Sequence, residues 1–304
     1  MPVVLPDILL YSVFEQLVAC NASGDPRSCM ELLLGRRTAI PCTDLPIGVE
    51  RFILRLGVLS PWGSAEEIIE RCTIYPYHRA LVSPDRNKTI QEILLHGPGG
   101  GLKTLLGRVA NGFGASPPLR YCPICAKEDF ATFRTLYWHR AHQLPGVLAC
   151  SIHGTNLVSL GAPGSSTDRQ RFVCVPACAL AAKAKNSSAV LSAFAKLSRD
   201  LLEAGLPASD PEIRRSVYQV AVADKGYSRC NGAIDYDALA DDLCMYYDSF
   251  REFACRDRLL STPKHPLAWL RTILQRPERS AHPICHLTAV RLKVEQNQLV
   301  AGIG

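Results

Sequence analysis

Tyr121-Cys-Pro-Ile-Cys125 is followed, after 24 residues, by Cys150-Ser-Ile-His153-Gly154, and these two short segments decide how the middle of the chain must fold. Two residues between ligands let a tight knuckle aim both side chains at one tetrahedral ion, with Pro123 presetting one turn and Gly154 releasing the other. Three thiolates and an imidazole close the tetrahedron and leave no position for water. Cys122, Cys125, Cys150 and His153 therefore read as the ligands of one structural Zn2+, not a catalytic one. Its binding would contribute about 10 kcal/mol to folding a segment too small to build its own core.

The other cysteines give weaker signals. Thirteen is an odd number, and Cys20, Cys72, Cys244 and Cys255 sit singly in apolar patterns, as reduced core thiols do. Cys174-Val-Pro-Ala-Cys178 has a three-residue spacing and no evident partner pair, so it reads either as the remnant of a second knuckle or as buried thiols. A zinc deaminase would need a His-x-Glu upstream of its Pro-Cys-x-x-Cys, and no His-x-Glu occurs in this chain.

Outward from the knuckles, helical signals dominate. Before them, short helices are expected over 7–19, 28–36, 47–57, 65–72, 88–95 and 102–110, with Ser64-Ala-Glu-Glu67 spaced as a capping box. Residues 111–120 are a Gly/Pro linker and 161–169 a second loop. Helical spacing returns from Ser188 and stops at Gly205. Asp210-Pro-Glu starts a helix to about Lys225, Gly226 and Asn231-Gly232 turn the chain, and Asp235 caps another helix. A further pair follows, one helix opening at His265-Pro266 and one at Ser280, with Pro283 in its first turn. The fold class is mainly α: a helical amino-terminal domain (1–115), a small zinc-binding knuckle module (116–180) and a carboxyl-terminal region of helix-turn-helix pairs (181–304).

An apolar fraction of 47% with 20% charged residues suits a folded globular chain. No run of apolar residues is long enough to span a bilayer and the amino terminus lacks a signal-peptide pattern, so no membrane association and a cytoplasmic location are expected. The formal charge of +6 alone proves no nucleic-acid partner, but from Arg256 onward eight Lys or Arg face three acids. No Walker A motif marks an ATPase, and no carboxylate triad marks a transposase.

The run Tyr121-Cys-Pro-Ile-Cys125-x-x-Glu128-Asp129, then Tyr137-Trp138-x-x-x-His142-Gln143-Leu144-Pro145-Gly146-Val147, then Cys150-x-x-His153-Gly154-x-x-Leu157, closely resembles the TniQ family. Thr73-x-Tyr75-Pro76 fits the helical start of that family. Trp269-Leu-Arg271-x-x-Leu274 with Arg279-Ser280-x-His282-Pro283 and His286-Leu287 resembles its TnsD branch. Known TnsD proteins run longer, and on this resemblance the chain is expected to lack a carboxyl-terminal part. The resemblance implies a non-enzymatic bacterial transposition protein that selects a chromosomal DNA attachment site, associates with the nucleoid when bound there and recruits the AAA+ ATPase TnsC. In CRISPR-associated relatives a small TniQ instead joins an RNA-guided effector complex to TnsC. A zinc-containing transcription regulator is a further alternative.

Helix-turn-helix units read the major groove from the start of their second helix while flanking cations hold phosphates. The DNA-binding candidates are Arg214, Arg215, Lys225, Tyr227 and Arg229 in the first pair, and Lys264, Arg271, Arg276, Arg279 and His282 in the second. The competing reading for each is a solvated helix face. Trp269 and Leu270 fall on an apolar stripe and belong in the core. The amino-terminal helices, with Arg36-Arg37, Arg51 and Arg55, are the expected surface for TnsC.

Overall fold

A computed structural model describes residues 3–20, 25–39, 41–97, 101–107, 118–160, 171–246, 268–276, 279 and 281–289. Within them the fold is mainly helical: α1 (Leu10–Ala19), α2 (Pro26–Leu34), α3 (Val49–Leu56), α4 (Ala65–Cys72), α5 (Tyr75–Arg79), α6 (Pro84–His96), α7 (Leu102–Leu105), α8 (Pro123–Phe133), α9 (Arg140–Gln143), α10 (Ala189–Glu203), α11 (Pro211–Asp224), α12 (Tyr236–Tyr246), α13 (Ala268–Gln275) and α14 (Pro283–Ala289). Two short strands, β1 (Arg120–Tyr121) and β2 (Val158–Ser159), pair antiparallel with Arg120 opposite Ser159. No helix among the described residues is long and apolar enough to cross a membrane.

Helix starts fall where the caps demand. Ser64 Oγ accepts from the Glu67 amide at 3.2 Å, and the Glu67 carboxylate accepts from the amide of Gly63 at 2.8 Å. The reciprocal bond of a capping box thus reaches one residue further back than the spacing implies. Asp25, Ser188 and Asp210 cap α2, α10 and α11 in the same way.

Several helices differ from the sequence reading: α2 lies two residues earlier, α7 ends at Leu105, α5, α8 and α9 have no counterpart in it, and α1 and α6 differ at their starts. α1 starts at Leu10 and not at residue 7, because residues 5–9 are spent on tertiary pairing: Leu9 N donates to Trp138 O at 2.8 Å, and Ile8 bridges His139. α6 starts at Pro84, four residues before the expected start, since proline at a first helical position forfeits no hydrogen bond. The 111–120 linker lies outside the described residues apart from 118–120, as do the 161–169 loop and His265-Pro266.

The chain divides into two compact units. The first comprises Met1–Pro76, Ile90–Gly100 and Ser116–Ser187; the second comprises Tyr77–Thr89, Gly101–Ala115 and Ser188–Gly304. The first is centred on fully buried Tyr11, Phe14, Phe52, Ile68 and Trp138, with Phe14 and Phe52 edge to face at 4.8 Å between centroids. In the second, Phe194, Tyr218, Trp269, Leu270, Leu274 and Ile284 are buried, so the apolar stripe of α13 does face a core. Residues 79–82 join that unit through Arg79 Nε to Leu206 O (2.8 Å) and Ser209 Oγ to Ala80 O (2.6 Å).

Candidate metal centre and nucleic-acid surface

Cys122 is the residue before α8, and Pro123 opens that helix, so Cys125 stands in its first turn. The second knuckle is a tight turn in which Gly154 N donates to Cys150 O (2.9 Å) and His153 N approaches Cys150 Sγ at 3.5 Å. Gly154 has φ +62°, a conformation that favours glycine. Cys150 N then donates to Thr155 O, closing the hairpin.

These turns bring Cys122, Cys125, Cys150 and His153 together with all four donor atoms within 4.8 Å of one another. His153 Nδ1 lies 3.6, 3.3 and 3.5 Å from the sulfurs of Cys122, Cys125 and Cys150, and the last two sulfurs are 3.7 Å apart. A tetrahedron built on zinc–sulfur and zinc–nitrogen bonds has edges of roughly 3.5–3.8 Å, so these separations suit a shared metal ion. Hydrogen bonds from Cys125 and Cys150 pull the Cys122 thiol far below its ordinary range, while contacts with Cys122 and Cys150, then burial, push Cys125 up. Three sulfurs this close cannot all ionise unless a cation sits among them.

The surroundings are those of a held ligand set. His153 Nε2 lies 3.2 Å from Glu128 Oε2, an outer carboxylate that orients the ring. Cys122 Sγ lies 3.3 Å from Thr155 Oγ1. Burial, then the charge on His139, lowers His142 to about 3, and this neutral ring sits with Nε2 at 3.9 Å from Cys125 Sγ. Its role beside the sulfur had no signal in spacing; only its place in the family motif singled it out. Cys174 and Cys178 are exposed as residues, contrary to the buried-thiol alternative, and partial burial of the Cys174 sulfur, then its hydrogen bond and charge contact with Glu15, raise that thiol to about 11.

Around the knuckles lies a network that spacing did not reveal. His139 Nε2 is 2.8 Å from Asp129 Oδ2, and its Nδ1 is 3.6 Å from Asp7 Oδ2. Arg140 Nε donates to Asp7 Oδ1 (3.1 Å), and its Nη1 donates to Glu70 O and Thr73 O. Gln143 accepts from Arg120 N and donates to Arg120 O, while the buried Arg120 guanidinium donates to Val147 O and Leu144 O. Trp138 Nε1 donates to Val173 O, and Tyr137 Oη to Pro6 O. The knuckle module and α1 are therefore parts of one folded body.

The DNA-binding candidates divide by environment. Arg214 is 8% exposed and bonded to Ser209, and His282 is fully buried, accepting at Nδ1 from Ile284 N at the start of α14. Tyr227 is half-buried and donates to Asp242, and exposed Arg229 is paired with Asp235 (3.1 Å) and Asp237 (3.6 Å). Arg215 pairs with Glu212 at 3.0 Å. Lys225, Arg276 and Arg279 are exposed, and Arg271, also exposed, lies over the Tyr236 ring at 4.8 Å. Lys264 lies outside the described residues. The connection between α11 and α12, residues 225–235, is closed by an antiparallel bridge from Ser228 to Ile234, so it is longer than a helix-turn-helix turn of about three to four residues.

Compared with protein-family models, residues 1–157 match the one described as TniQ, and residues 194–299 match the one described as Tn7-like transposition protein D. No curated protein matches the chain.

Proposed function

The chain belongs to the TniQ family, whose match covers just over half of its 304 residues, and from that premise we propose that it is a transposon target-site selector. On this reading it binds a specific duplex attachment site and recruits the AAA+ ATPase TnsC, with no catalytic step of its own. The observation that carries the reading is the order of segments on one polypeptide: a TniQ match, then a match to Tn7-like transposition protein D that takes in the basic stretch beginning at Arg256.

Zn2+ is the ion we assign to Cys122, Cys125, Cys150 and His153, because a closed tetrahedral set of three sulfurs and one nitrogen suits zinc and leaves no site for substrate. Its role is to tie α8 to the 150–155 hairpin. Exposed Lys225, Arg271, Arg276 and Arg279 are the proposed DNA contacts, with Arg215 beside them. Arg214 and His282 shape the helices that present them, and Arg229 is held by its two acids. The proposed TnsC surface is the amino-terminal helical region, where Leu32, Leu54, Val58 and Leu59 are exposed near Arg51 and Arg55.

Footprinting of the purified chain on the DNA flanking its transposon, with and without TnsC, tests the reading. Protection of one duplex site by the chain alone, extended when TnsC is added, is the expected result. Protection that requires an RNA-guided effector complex would replace the selector by an adaptor. Deleting residues 1–110 without loss of TnsC recruitment would remove the assignment of the amino-terminal surface.

A further inference from the structure

The second compact unit contains a polar cleft that the metal centre does not use. It is shallow, most of its space of about 260 Å3 being open solvent at the mouth, and its lining brings together Arg214, Arg215 and Arg279 with Tyr218 and His286. Arg214 is the unusual member. It is 8% exposed, yet its guanidinium is bonded to the neutral carbonyl and hydroxyl oxygens of Ser209. The carboxylate of Asp210 acts on it through space but is engaged at the start of α11, accepting from Glu212 N at 2.7 Å. A buried guanidinium without a bonded counter-ion is destabilising, and an anion arriving at the cleft would relieve that cost.

The neighbouring groups favour the same visitor. Arg215 gives one nitrogen to Glu212 at 3.0 Å, but its Nε is buried without a hydrogen-bond partner among the described residues. Arg279 is exposed, and no ion pair holds it among the described residues. His286 is buried, with Nδ1 3.0 Å from the Tyr218 hydroxyl, and burial followed by the Arg214 charge keeps it neutral. With the hydroxyl donating to Nδ1, the other ring nitrogen carries a hydrogen and is a donor. Guanidinium forks and a neutral N–H suit a tetrahedral oxyanion better than a lone carboxylate, because several donors can be divided among its oxygens.

We propose that this cleft is an oxyanion site that takes a phosphate group, either a backbone phosphate of duplex DNA or free phosphate. In its DNA form the proposal rests on the selector reading; in its free form it stands apart from it. The full chain is compared with Arg279→Gln and Arg215→Gln, and with Arg214→Lys as the variant that keeps the buried charge. Each is melted in inorganic phosphate and in chloride at equal ionic strength, and each is titrated with two duplexes of unrelated sequence over a range of salt.

Phosphate is expected to raise the melting temperature of the parent chain above its value in chloride, and Arg279→Gln to abolish the difference. If the source is DNA, Arg279→Gln and Arg215→Gln also weaken both duplexes equally, and each backbone phosphate left without its arginine flattens the slope of log affinity against log salt by about 0.9. If the source is free phosphate, the melting effect appears and the DNA slopes do not change. A parent chain that binds no duplex but responds to phosphate sinks the selector reading and leaves the site standing. A parent chain that melts alike in phosphate and chloride, or an Arg279→Gln that keeps the parent's phosphate effect, with salt slopes unchanged in variants that melt like the parent in chloride, overturns the site and leaves DNA binding to other residues.

Discussion

Replacing His139 with Asn probes the network that joins the amino terminus to the metal module. The ring lies between Asp129 (2.8 Å) and Asp7 (3.6 Å), and its side chain is 11% exposed. Burial alone would lower its pKa, but hydrogen bonds and charges from Asp129 and Asp7 outweigh that and hold it at about 9, against an ordinary 6.5. Because the folded value is the higher one, the stabilisation is fully present below the unfolded value of 6.5 and is lost as pH rises through about 9. The displacement corresponds to about 3 kcal/mol, of which about 2.5 remains near pH 7 and almost none near pH 10. A zinc centre with three thiolates carries a net negative charge, so it does not oppose protonation of the ring. Urea unfolding of the metal-loaded parent and His139→Asn across this range gives the difference in stability. Since the metal ligands titrate alike in both proteins, the difference isolates the ring, and it should shrink by about 2.5 kcal/mol between pH 7 and pH 10. A difference that stays constant over that range would mean a neutral ring in the folded protein and refute the reasoning.

Other changes should act through equally definite contacts. Asp7→Ala removes the carboxylate that accepts from Arg140 Nε and Ala141 N, leaving a buried guanidinium with carbonyl partners alone; a loss of about 3–5 kcal/mol in chemical unfolding is expected. Elemental analysis should find one zinc per chain; a strong chelator should lower the melting temperature of the parent, and Cys150→Ser should both abolish the metal and melt without responding to chelator. Phe52→Ala, which removes a fully buried ring packed on Phe14 and Trp62, should cost about 3–5 kcal/mol without altering metal content.

The meeting of Cys122, Cys125, Cys150 and His153 was legible because knuckle geometry is local: two intervening residues define each turn, with a proline in the first and a glycine closing the second. Caps were legible for the same reason, and Ser64, Ser188 and Asp210 each begin a helix where their side chains can serve the first free amides. The start of α1 was not, since residues 5–9 look compatible with a helix until Trp138 and His139 offer them a partner. Nor was the fate of the basic residues, because two adjacent arginines on α11, Arg214 and Arg215, read alike in sequence yet differ in burial and bonding.

The sequence by itself determined the mainly helical class, the four side chains that cluster at the knuckles and the resemblance to the TniQ family, all of which depend on residue types at short, fixed separations. Tertiary structure decided that Asp7, Asp129, His139 and Arg140 meet, that Glu128 backs His153, and that Arg214 turns inward toward Ser209. Asp7 lies more than a hundred residues from its partners along the chain. Such meetings are set by how packed elements bury their apolar faces, and local periodicity carries no record of which distant charge will be waiting there.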